Sequence, residues 1–115
     1  MDQTARFQET LRKLALLDDG FVESQAGLGR AETAALDGKT VALLRLGASV
    51  AAGAPAACVQ WAAGRAVSAG ATDDEVADVL LVIAPVAGLS RVVCAAPEVA
   101  TALEYDLTAA LEEPQ

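Results

Sequence analysis

A chain of 115 residues has the length of one domain, enough to hold a core without disulfide or metal staples. It is 54% hydrophobic but only 3% aromatic, so small side chains must do the packing, and a net charge of -8 with no Lys/Arg cluster excludes nucleic acid as a partner. There is no histidine, which removes every Ser-His-Asp and Cys-His arrangement and every His-ligated zinc site.

The opening "MDQTARFQET" has no apolar run of signal-peptide type. Residues 3 to 17 read as an amphipathic helix, with Phe7, Leu11, Leu14 and Leu17 recurring among charges, stopped by "DDG" with Gly20 past the end. Phe21 to Ala35 carries two glycines and reads as a short helix and a loop. Asp37 is placed to N-cap the helix "GKTVALLRLGASVAAG", which should end near Gly53. Pro55 suits the first turn of the next helix, which runs to about Ala69 before Gly70. That helix is apolar nearly all round and is expected to be buried.

"TDDE" follows, and Thr72 with Glu75 makes a capping box, with Asp73 and Asp74 at the positive end of the helix dipole. In the helix beyond it, Val76, Val79, Leu80 and Ile83 form one apolar face. Leu81 and Val82 form another, so burial on both sides is expected. Pro85 should kink or end this helix, and Gly88 closes it. Ser90 is a candidate cap for a last helix, "RVVCAAPEVATALEYDLTAALEE", in which Pro97 predicts a kink or a restart. No alternating run suggests a strand. The expectation is one all-α domain over 1–115, with about five or six helices and antiparallel neighbours.

Leu46 to Gly64 is uncharged and of bilayer length, but it is rich in Ala and Gly and broken at Gly53-Ala54-Pro55, so no membrane span is expected. Two free thiols without a signal peptide fit a cytoplasmic location. Two cysteines 36 positions apart make no zinc site, and nothing calls for a metal or cofactor. The surplus of apolar residues over what a small monomer can hide predicts a homo-oligomer.

The ordered set Ala66, Gly70, Ala71, Thr72, Glu75 and Gly88, over residues 36 to 105, resembles the carboxymuconolactone decarboxylase family and its alkylhydroperoxidase-D-like members. The resemblance implies an all-α, alkylhydroperoxidase-D-like helical bundle, assembled as a trimer or hexamer, with a site near subunit contacts. It also implies two chemistries, and this chain departs from both. The peroxidase branch has C-x-x-C and a His four residues on; those positions here are Cys58, Trp61 and Arg65. The decarboxylase branch has a His that maps to Ala62.

Several readings of these residues stay open. Cys58 is a small buried hydrophobe, a reactive thiol with Arg65, two turns along the same face, as its electrostatic helper, or a cysteine that lines a ligand pocket without reacting. Cys94 is a second buried small residue or a resolving partner. Trp61 anchors a core or interface, or closes a pocket whose lining includes Ala62. Arg45 and Arg91 interrupt apolar runs, and each either pairs with a carboxylate or holds an anionic ligand. Glu104, Tyr105 and Asp106 read as solvated surface. The functions that follow are a small-molecule-binding or structural homo-oligomer, a one-cysteine peroxide or thiol reductase, and a lactone or organic-acid enzyme using Arg and carboxylates.

Overall fold

The computed structural model describes residues 3–17, 20 and 35–112. The chain divides into two compact units, Met1–Ala35 and Leu36–Gln115.

In the first unit, α1 spans Gln3–Ala15. Phe7, Leu11 and Leu14 share one exposed apolar stripe. Glu9 accepts a hydrogen bond from Arg12 at 2.8 Å and faces Lys13 at 3.6 Å. The Arg12 hydrogen bond and charge hold the Glu9 carboxyl below its ordinary range. The chain turns at Leu17, whose φ is +52°, ahead of the "DDG" to which the sequence assigns the stop. The predicted short helix and loop after Gly20 fall on residues 21–34, outside the described residues.

In the second unit the helices are α2 (Gly38–Ala51), α3 (Ala56–Ser68), α4 (Asp73–Ala87), α5 (Leu89–Ala102) and α6 (Leu107–Glu112). With α1 these make six helices and no strand among the described residues. The four long ones form a ring of neighbours in the order α2, α3, α5, α4, closing back on α2, with thinner contacts across the diagonals. None of the described helices is long and apolar enough to cross a membrane.

The caps explain where the helices begin. Asp37 accepts from the Thr40 amide at 2.8 Å, and Thr72 and Glu75 exchange both bonds of the capping box at 3.1 and 2.9 Å. Each bond satisfies an amide that has no partner inside its helix. Gly53, Gly70 and Gly88 all have positive φ at the chain reversals. Pro55 precedes the first turn of α3 and acts as its N-cap residue.

The core is small-residue packing around a few aliphatic anchors. Leu46 of α2 and Val76 of α4 are fully buried, and Val50, Val59 and Val99 join them. Ala62, Ala63 and Ala66 form the inner face of α3 and let it approach its neighbours closely. Burying each large aliphatic contributes roughly 1.5–3 kcal/mol. At Gly47 the α2 and α4 helices nearly touch: a Cβ there would lie 3.2 Å from Ile83 Cγ2 and 3.4 Å from Val79 Cγ1.

Four expectations are corrected. The α3 helix is buried on its alanine face only; Cys58, Trp61 and Arg65 are exposed. Gly88, not Ser90, precedes the first turn of α5, so Ser90 lies inside the helix. Leu81 and Val82 of α4 are 71% and 76% exposed, so this helix buries one apolar face and not both; Pro85 and Pro97 lie within α4 and α5, which end at Ala87 and Ala102. The last predicted helix breaks at Leu103–Asp106, where Glu104 takes φ +60° and Asp106 accepts from the Ala109 amide at 3.0 Å to start α6.

Candidate functional site

Three surfaces carry the residues of interest. The first is the outer face of α3. Cys58, Trp61 and Arg65 follow at helical spacing, and all three are exposed. The guanidinium of Arg65 lies 5.1 Å from the centroid of the Trp61 ring, a cation–π stack. Arg65 is therefore engaged by the ring between it and the thiol. The thiol itself is open at the first turn of α3, where the Cys58 amide donates to the Pro55 carbonyl at 2.9 Å. Ala62 points the other way and is buried in the core.

The second surface is a groove of about 360 Å³ between the α2–α3 turn and α5. Val50, Ala54 and Val59 form its aliphatic wall. Arg91, Cys94 and Glu98 line the other side at i, i+3 and i+7 on α5, with Ser90 beside them. The Arg91 guanidinium lies directly against Gly53: a Cβ at Gly53 would fall 1.5 Å from Nη1 and 2.7 Å from Cζ. This places the cation at the C-terminal end of α2, the negative end of its dipole. At the other end of the groove, Glu98 accepts a hydrogen bond from the Gln60 amide nitrogen. Cys94 is thus an exposed groove residue, where the plainest reading of the sequence made it buried; Cys58 is likewise exposed.

The third surface is an apolar groove of about 590 Å³ between α2 and α4. Leu43, Leu44, Val79 and Ile83 wall it, and Thr40, Glu75 and Asp78 provide its polar groups. Lys39 donates to Glu75 at 3.0 Å. The Thr72 amide first, and Lys39 second, hold the Glu75 carboxyl below its ordinary range; the Thr40 amide does the same for Asp37.

Of the residues singled out from sequence, Arg91 lines the second groove, while Cys58, Trp61 and Arg65 share a face outside both grooves. Arg45 is half-buried on α2 and lines neither. The Arg91–Cys94–Glu98 spacing on one helix was a usable signal for the groove. Gln60, 38 positions from Glu98, had none. Among the described residues no three His, Cys, Asp or Glu side chains group as a metal site would need.

No curated protein and no solved structure matches the chain. The family model for the carboxymuconolactone decarboxylase family matches residues 17–102, well over half of the sequence. The match takes in α2 through α5, with both grooves and the Cys58–Trp61–Arg65 face. On that match the chain, an all-α bundle of the alkylhydroperoxidase-D-like type, belongs to the carboxymuconolactone decarboxylase family.

Proposed function

We propose that this member of the family works as a homo-oligomer that binds a small organic acid, without the dithiol or histidine chemistry that the resemblance associates with its relatives. The observation that carries the reading is the Arg91 guanidinium in the groove between the α2–α3 turn and α5. An exposed cation facing an aliphatic wall suits a carboxylate with a short apolar body. The Gln60–Glu98 pair at the far end offers hydrogen bonds to a hydroxyl or carbonyl of the same molecule. At about 360 Å³ the groove is at the lower end of the range for small-molecule sites. The test is calorimetric titration with a panel of short aliphatic and aromatic carboxylates. Binding by the native protein and a loss of 10- to 100-fold in Arg91→Ala, the range for a charge-assisted hydrogen bond, is expected. Equal affinity in both proteins overturns the assignment.

A thiol-based reading keeps one observation in its favour: Cys58 is open in the first turn of α3, where the helix dipole favours negative charge. It is tested by the rate of alkylation against pH, with Cys58→Ser as control. A Cys58 that reacts as an ordinary exposed thiol and resists peroxide removes this reading.

A further inference from the structure

We infer that the uncharged outer ridge of α4, together with the apolar groove beside it, is the surface on which a second copy of this chain docks. The inference rests on the self-association proposed above and names the surface responsible.

The sequence of α4 carries more apolar residues than its own bundle uses. Val76 and Leu80 face the core, while Leu81, Val82 and Val86 point outward, Val86 being 91% exposed. From Val79 to Ser90 there is no charged residue at all. Leu44, Val82 and Val86 line the groove and are 58%, 76% and 91% exposed, and Leu81 on the same helix is 71% exposed, the kind of apolar patch that marks a protein contact.

Shape and charge favour a second copy over a small molecule. The groove has its polar groups in only three residues, Thr40, Glu75 and Asp78, and is otherwise aliphatic. Gly47, in its lining, lets α2 and α4 approach closely, since a Cβ there would press on Ile83 and Val79. The Val82–Val86 ridge borders the groove, so a two-fold-related copy can seat its ridge in this groove and receive the other in return. The chain carries a net charge of -8, so copies repel wherever charged faces approach. On α4 the carboxylates Asp73, Asp74, Glu75 and Asp78 are confined to its N-terminal half. With the two α4 helices antiparallel, each acidic half faces the partner's uncharged half instead of another acidic one.

The experiment is sedimentation velocity of the full chain with Cys58→Ser and Cys94→Ser, so that disulfides play no part, over a wide range of concentration. The parent should sediment as two or more chains. Val82→Glu with Val86→Glu should raise its dissociation constant at least 100-fold while the far-ultraviolet circular dichroism keeps its helical form. Leu111→Glu, on α6, should leave the mass unchanged. Val86→Glu alone should weaken association in the same direction, at a position so exposed in one chain that its folding is not at issue. A parent that is one chain at every concentration overturns self-association and this surface together. A parent of several chains whose mass ignores the α4 variants overturns the surface and leaves self-association standing.

Discussion

At position 53 two constraints coincide: φ is +72°, and the space a Cβ would take is filled by the Arg91 guanidinium. Gly53→Ala should therefore lower stability by about 1–2 kcal/mol from the backbone alone, read by urea unfolding. It should also push Arg91 aside and weaken carboxylate binding; adding Arg91→Ala relieves the clash and leaves the backbone cost. The sequence marks Gly53 as the end of a helix, because that is a local property. It gives no sign that a residue 38 positions later rests on it. Leu46 is the other informative single position. It is fully buried among small side chains that leave little room for collapse, and Leu46→Ala should cost about 3 kcal/mol, within the range for cavity-forming substitutions. The candidate site was half legible on the same grounds: Arg91 stands out as a charge in an apolar run, whereas Cys94 and Gln60 look like filler until α3 and α5 are brought together.

At the scale of elements, boundaries were readable where a cap residue or a glycine marks them. Asp37 and Thr72 cap through contacts with residues three positions on, so the chemistry is complete within a few letters of sequence. Thr72→Ala should cost about 1 kcal/mol, seen as a lower denaturant midpoint with unchanged slope. The carboxyls of Asp37 and Glu75 are held below their ordinary range by the amides they accept from, which favour the ionised form. Their contribution to stability is thus complete above the usual carboxylate range and is lost as pH falls through the lowered folded values. The thermal midpoint should fall as pH is taken from about 5 to about 3, and Glu75→Gln should make that fall shallower. The break at Leu103–Asp106 escaped prediction because Glu104, a poor candidate for positive φ, makes the turn without glycine. The exposure of one side of α3 escaped it for a different reason. Cys58 and Trp61 are apolar by type, and composition does not say which apolar face a single chain leaves open.

For the molecule as a whole, the acidic surface and the uncharged ridge of α4 work in opposite directions. The net charge of -8 opposes the chain's self-association. Raising salt from roughly 0.05 to 0.5 M shortens the range of that repulsion, so the apparent mass in sedimentation should rise with salt, the reverse of a salt-bridged interface. The all-α class and three of the five helix starts beyond residue 36 followed from periodicity and caps, Ser90 and the separate start of α6 being the exceptions; the ring order of the bundle did not, since it depends on which faces meet. Trp61 is the chain's sole tryptophan, 66% exposed and stacked by a cation. Its fluorescence is a single-site optical gauge of whether that face is wet. If copies join through α4, emission should keep its wavelength and its accessibility to iodide as the mass grows. A blue shift that tracks association would instead put the tryptophan inside the contact, and would identify the assembling face without a single substitution.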